Sequence, residues 1–434
     1  MTDTQTAYRS ALFHTLDNPA HQPAGEAHQY FADGLLVVEN GTITHCGDAE
    51  SLLKELPPHI KVVELPNSLI TPGFIDTHIH YPQTEMIASY GEQLLDWLEN
   101  YTFPTEKQFS DPEHAQRVAS LFLDELLKNG TTTALVFGTV HPESVDAFFN
   151  EAQKRQLRMI AGKVMMDRNA PDYLTDSAQS SYDESKQLIE KWHNKDRLAY
   201  AVTPRFAPTS TPEQLDAAAK LLKLAPDLYL HTHLAENKNE CEWVAELFPE
   251  SRSYLDVYDQ HQLLTERSVF AHGIYLNDED CCRLHQTGSS VAFCPTSNLF
   301  LGSGLFDVKK LESHKVNIGM GTDVGGGTSF SMLQTLQEAY KVTQLQQQRI
   351  DPIQSFYLAT LGGARSLRLS DKIGTLLPKS EADFVVLDLE STPLIKARMA
   401  NANSISEQLF ILMMLGDDRS IKATYSGGRC VHQR

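Results

Sequence analysis

Eight short apolar runs rich in β-branched residues, spaced by longer stretches of helical periodicity, constrain this fold more than any other feature of the sequence. The runs are 74–80, 131–136, 158–165, 198–203, 228–233, 268–272, 290–293 and 317–322. Between them lie helical patterns such as 113–128, 144–154, 183–192, 212–223 and 236–247. Thr211-Pro212-Glu213 opens one of these with a capping residue and a Pro in the first turn. Strands alternating with helices predict an α/β protein whose parallel strands close into a (β/α)8 TIM barrel; the other arrangement the pattern allows is a doubly wound open sheet.

The two ends of the chain read differently. Segments 34–39 and 43–46 are strand candidates joined by Asn40-Gly41, a pair that tolerates positive φ and signals a hairpin. Segments 61–65 and 69–70 continue the pattern, in a stretch too short to bury a large core alone. Past residue 370, strand signals return at Ile373-Gly374, 383–387, 423–425 and 429–431, with a turn at Gly427-Gly428. We therefore expect residues 1–70 and 371–434 to pair into a small β-sandwich domain beside a catalytic barrel of residues 71–370.

Barrels carry their chemistry at the C-terminal ends of their strands. His78 and His80 close the first run and, two apart on a strand, share one side. His231 and His233 close the fifth run, His272 the sixth, and Asp323 follows the eighth. One such residue alone would be an ordinary hydrogen-bonded strand end. Imidazoles and a carboxylate at the same end of four strands instead suggest an N/O site for zinc or another first-row divalent ion. Glu236 lies three residues past His233, beyond the strand, where it can reach the cleft as a general acid/base rather than a ligand. Cys294-Pro295 has the wrong order for the cysteine-ligated zinc site of cytidine deaminases.

Composition narrows the partners. Lys+Arg is 37 against 56 Asp+Glu, a formal net charge of −19 that argues against nucleic acid as the main partner and says little about a small neutral substrate. No apolar run is long enough to span a bilayer, and Met1 to Thr6 has neither the basic start nor the apolar core of a secretory signal. Six scattered cysteines with no Cys-x-x-Cys pair predict a reduced, cytoplasmic protein.

Pro72-Gly-Phe-Ile-Asp-Thr-His-Ile-His80, His231-Thr-His-Leu-Ala-Glu236, Ala271-His-Gly273 and Met320-Gly-Thr-Asp323, in this order, resemble the amidohydrolase superfamily. Cys294-Pro-Thr-Ser-Asn298 resembles its aminohydrolase branch, and the likeness runs on through Ala359 to Leu367 and Ala382 to Val386. Within that branch, His80-Tyr-Pro-Gln83, 94–104, 164–171 and 203–208 resemble the members that deaminate guanine to xanthine. Carried over position by position, the resemblance implies one zinc ion per subunit held by His78, His80, His233 and Asp323. It implies Glu236 as proton shuttle, and His272 as hydrogen-bond partner of the attacking hydroxide or the departing group. Gln83, Arg205 and Phe206, with His80, His233, Glu236 and Asp323, would line a purine pocket. Arg205 offers forked donors to the O6 and N7 edge of guanine, Gln83 a donor and an acceptor, and Phe206 a ring to stack on. His231 matches no ligand of the family and is expected to be structural. A homodimer is also implied.

Two-metal relatives carry a modified Lys at the end of strand four. Here that strand runs into Thr203-Pro-Arg205, and Lys163 sits on strand three short of its end, so one metal is expected. The chain departs from the family at Lys379-Ser380 and at Arg368, where Gly is common, which puts turns in question rather than chemistry. Residues 85–109 and 302–304 are candidate lids. Two other functions fit the same residues: an aminohydrolase for another base such as 8-oxoguanine, or a chlorohydrolase. A non-catalytic barrel used in assembly would be expected to have lost metal ligands, and none is missing.

Overall fold

The computed structural model describes residues 5–23, 25–90 and 93–434. Its centre is a ring of parallel strands: Phe74–His80, Thr131–Phe137, Arg158–Gly162, Leu198–Pro204, Tyr229–Leu234, Ser268–His272, Ser290–Phe293 and Asn317–Met320. They pair in sequence order, first to eighth. The ring is drawn together between its ends, where the Thr77 hydroxyl donates to the Met320 carbonyl at 2.9 Å and the Asp323 N–H to the His78 carbonyl at 2.9 Å. The expected barrel is therefore the observed one, with boundaries moved by a few residues. The third strand differs most. It breaks at Lys163 and resumes as Val164–Met165 against the fourth strand.

The surrounding helices follow from their patterns. Pro112–Lys128 starts at Asp111, whose side chain caps it, and buries Ala115, Val118, Ala119, Phe122, Leu123, Leu126 and Leu127. That spacing is a single helical stripe facing the strands. Pro212–Leu222 begins at the Thr211 cap. Glu236 does not open the next helix: Asn237 caps Lys238–Leu247 and leaves Glu236 in the strand-to-helix turn.

The chain ends build a seven-stranded sheet, from Gln5–Thr15, His28–Glu39, Thr42–Asp48, Lys61–Pro72, Phe384–Asp388, Ile421–Ser426 and Arg429–Gln433. The first strand of this sheet, Gln5–Thr15, has no counterpart among the sequence-based expectations. It runs parallel to Lys61–Pro72, which in turn pairs with Phe384–Asp388 from the far end of the chain. The sheet folds over on itself. Tyr8 and Tyr425 lie on strands three apart in pairing order, roughly 14 Å on a flat sheet, yet their ring centroids are 5.1 Å apart. Tyr8, Leu12, Leu36, Ile70, Phe384 and Val386 fill the resulting sandwich core, while Leu69, Val385 and Ile421 face the barrel.

Asn40 and Gly41 both have positive φ (50° and 80°), the geometry their pairing predicts. Ile373-Gly374 is not a strand; it lies in a run of turns, and two residues without a partner strand cannot form a ladder. Lys379 and Arg368, which stand where the family favours Gly, adopt φ of 81° and 53°. The turns are kept, with side chains in a conformation that Gly would adopt at less cost. No helix among the described residues is long and apolar enough to cross a membrane, and none of the six cysteines forms a disulfide.

Candidate active site

The ring delivers His78, His80, His233, His272, Asp323, Glu236, Gln83, Arg205 and Phe206 to its C-terminal end. All of these except His78 line one cleft of about 410 Å³ with Leu94, Trp97, Leu98 and Leu301. His78 lies immediately beneath. His78 Nε2 is 3.1 Å and His80 Nε2 3.4 Å from Asp323 Oδ1, and His80 Nε2 is 3.2 Å from His233 Nε2. His272 and Asp323 bear positive φ (71° and 51°), as does Ala235 just before Glu236 (48°). Such strain gathers at functional sites, and no sequence pattern announces it.

The protonation pattern favours a bound cation. His233 Nδ1 lies 2.7 Å from the Arg205 carbonyl, which can only accept, so Nδ1 carries the proton and Nε2 the lone pair. His78 Nδ1 is 2.8 Å from His231 Nε2, while His78 Nε2 and His80 Nδ1 are buried without a hydrogen-bond partner. Burial holds His78, His80 and His233 well below the ordinary imidazole value, so they are neutral. The ligand atoms of His78, His80 and His233 lie within 4.8 Å of one another, as do those of His78, His272 and Asp323. Neutral imidazoles turned toward one carboxylate fit a divalent ion. His231 stands behind His78, contributing to its orientation rather than to the cation's shell.

Around that cluster the acid/base groups are displaced upward. Burial, then the charge of Asp323, pushes Glu236 up to about 8. Burial pushes Asp323 up to about 6, against the opposing pull of His272 and Arg205. Glu236 Oε2 is 3.4 Å from His272 Nε2, and its Oε1 accepts from the Ser303 hydroxyl at 3.1 Å. His272 Nδ1 rests 2.9 Å from Asn298 Oδ1. Beneath, Asp76 accepts from the N–H groups of His78 and Thr322, both at 3.1 Å, and from the Thr322 hydroxyl, tying the first strand to the eighth.

Two corrections concern neighbours rather than the predicted residues themselves. Arg205 does not hold its fork free, because both terminal nitrogens donate to Glu106, at 2.7 and 3.0 Å. Glu240 was invisible as a site residue too, and its carboxylate accepts from the N–H groups of Glu236 and Asn237 at 2.8 and 3.0 Å. Its signal was the Asn237-x-x-Glu240 capping box. Lys163 pairs with Asp176 (2.6 Å) and Glu184 (3.2 Å). Of the candidate lids, Leu94, Trp97 and Leu98 border the cleft, as does Leu301 beside the 302–304 loop; Gly91 and Glu92 lie outside the described residues.

The profile of the amidohydrolase family matches residues 69–431. The chain belongs to this family. It is 55% identical to the guanine deaminase of Escherichia coli over 97% of this chain and 95% of that one. A solved structure of the E. coli guanine deaminase superposes with a TM-score of 0.96 at 54% identity, covering 99% of this chain and all (100%) of that one. A guanine deaminase from C. acetobutylicum, solved with guanine in its active site, gives a TM-score of 0.89 at 27% identity, covering 99% and 100%.

Proposed function

We propose that this amidohydrolase hydrolyses guanine to xanthine and ammonia. The observation that carries the reading is the single cleft in which Gln83, Arg205 and Phe206 face the cluster of His80, His233, Glu236, His272 and Asp323. The likeness to the guanine deaminases supports the same substrate. One divalent ion, zinc in this reading, would be held by His78, His80, His233 and Asp323 and would lower the pKa of water toward about 7.

The residues then divide the work. Arg205 and Gln83 hold the base edge and Phe206 its face, presenting C2 to the floor of the cleft. Asp323 takes a proton from the attacking water as its oxygen bonds to C2. Glu236, placed 3.4 Å from His272 and kept protonated near neutrality by its burial, delivers a proton to N3. The proton held by Asp323 then passes through Glu236 to the amino group. As the C2–N bond breaks and ammonia leaves, the C2 hydroxyl returns its proton to Glu236 and the C2 carbonyl of xanthine forms. His272 orients the attacking oxygen by a hydrogen bond. Each such positioned transfer contributes about 10²–10⁴-fold in rate. A cytoplasmic homodimer that acts on a free base, with no nucleic acid partner, completes the reading.

The test is ammonia release from guanine by the zinc-loaded protein, with cytosine, adenine and 8-oxoguanine alongside. Rapid release from guanine alone is expected. Release from another base instead would keep the metal site and discard the roles of Gln83 and Arg205. Silence on every base with zinc bound would defeat the proposal.

A further inference from the structure

Glu106 lies at the end of the short helix Phe103–Glu106, with no exposed surface (0%). Its carboxylate meets both residues assigned to the base edge. Oε2 accepts from Arg205 Nη1 at 2.7 Å, and Oε1 from Arg205 Nη2 at 3.0 Å and Gln83 Nε2 at 3.2 Å. The Arg205 side chain is itself only 3% exposed.

Two consequences follow from donor and acceptor chemistry alone. A carboxylate on both terminal nitrogens takes the end-on face of a guanidinium and fixes its plane. The Nε–H edge takes no part in those two bonds and stays a donor edge. A carboxylate also accepts without donating, so the Gln83 amide must turn its NH₂ toward Glu106 and its Oε1 away. That oxygen lies against Gly325, where an added Cβ would fall 1.8 Å from it. The cleft edge thereby acquires a fixed polarity, with donors from Arg205 and an acceptor from Gln83.

We propose that Glu106 is a specificity-determining positioning residue. By holding the Arg205 guanidinium and the Gln83 amide in one orientation, it sets the donor–acceptor pattern that accepts a 6-oxopurine and rejects its 6-amino counterpart. The inference rests on guanine as the substrate. It also gives a reason for the burial of this pair beside a site built for a dication: an uncompensated guanidinium there would oppose metal binding, and Glu106 cancels its charge. A pair that merely anchored the helix to the fourth strand would affect stability and leave discrimination alone.

Glu106→Asp separates these roles, because it keeps the charge and shortens the reach by one methylene. Kinetics are measured on guanine and on 2,6-diaminopurine, which retains the C2 amino group and replaces O6 with an amino group, together with metal content by mass spectrometry. For the Asp variant we expect unchanged metal content and a KM for guanine raised about 10- to 100-fold, with a smaller change in kcat. The guanine-to-diaminopurine ratio of kcat/KM should fall about tenfold or more. Glu106→Gln, whose amide lets Gln83 turn either way, should lower that ratio further; if it does not fold, the Asp variant decides. A folded, metal-loaded Asp variant with the wild-type KM and ratio overturns the proposal, as does a loss traced wholly to metal content. Failure of the wild type on guanine in the same assay would instead defeat the substrate reading.

Discussion

Arginine–carboxylate pairs stand at both the mouth and the base of the barrel, buried at the mouth and half-buried at the base. At the base, Arg158 and Arg197, on or just before the third and fourth strands, both meet Glu381, and Arg197 also meets Asp383. Arg197 Nη1 reaches the Ser426 hydroxyl at 3.0 Å, and Asp383 accepts from the Gly427 N–H at 2.7 Å. These charges answer one another across the boundary between barrel and terminal sheet. At the mouth, Arg205 and Glu106 are paired, but beside them His80 Nδ1 and His231 Nδ1 are buried without a hydrogen bond, His78 Nε2 faces Asp323 at 3.1 Å, and Glu236 and Asp323 are pushed upward. The base uses its charges to hold two layers together; the mouth gathers neutral imidazoles and a carboxylate into a donor set that fits a divalent ion.

The sharpest way to break this contrast is at the mouth. Asp323→Asn should lose the metal and, with it, turnover below detection, while the urea midpoint stays near that of the wild type; mass spectrometry and an ammonia assay read both. A variant that stayed metal-loaded and active would remove Asp323 from the ligand set. Glu236→Gln should keep its metal and lose about 10²–10⁴-fold in kcat, and unaltered turnover would make the carboxylate a bystander. At the base the effect should move from rate to stability. Glu381→Ala leaves two half-buried guanidinium groups short of a partner and should lower the unfolding free energy by about 1–3 kcal/mol, with kcat for guanine unchanged. A stable but slow Glu381→Ala enzyme would mean that the two ends are coupled.

The smallest effect concerns pH. His14 in the terminal sheet accepts from the Leu376 N–H at 3.3 Å and lies 3.1 Å from Gln29 Oε1. Burial pushes its imidazole down to about 4 from an ordinary 6.5. Between those values the unfolded chain binds a proton that the folded chain does not, so stability is complete above 6.5 and is lost as pH falls toward 4. His14→Gln should flatten that part of the urea-midpoint profile, by about 1–3 kcal/mol across the window. An unchanged slope would assign the acid sensitivity to other groups.

Much of this could be read in advance, for physical reasons. Barrel strands buried on both faces read as apolar β-branched runs, and the polar residue that ends each run marks the cleft. His78, His80, His233, His272 and Asp323 stood out because four strand ends told the same story. Glu106 did not, because one carboxylate on a four-residue helix (Phe103–Glu106) reads like any solvated charge. Its partner Arg205 is brought to it only by the closed ring. Gln5–Thr15 escaped because its burial follows no clean alternation, with Leu12 to Thr15 all inside.

The parallel pairing of Gln5–Thr15 with Lys61–Pro72 bears on how the chain is made. The other edge of Lys61–Pro72 is completed by Phe384–Asp388, which leaves the ribosome only after every barrel strand has been synthesised. For that interval the nascent protein carries an open β edge that can recruit a foreign strand. The last turns of synthesis close it, so truncation near the C-terminus should be felt first as aggregation.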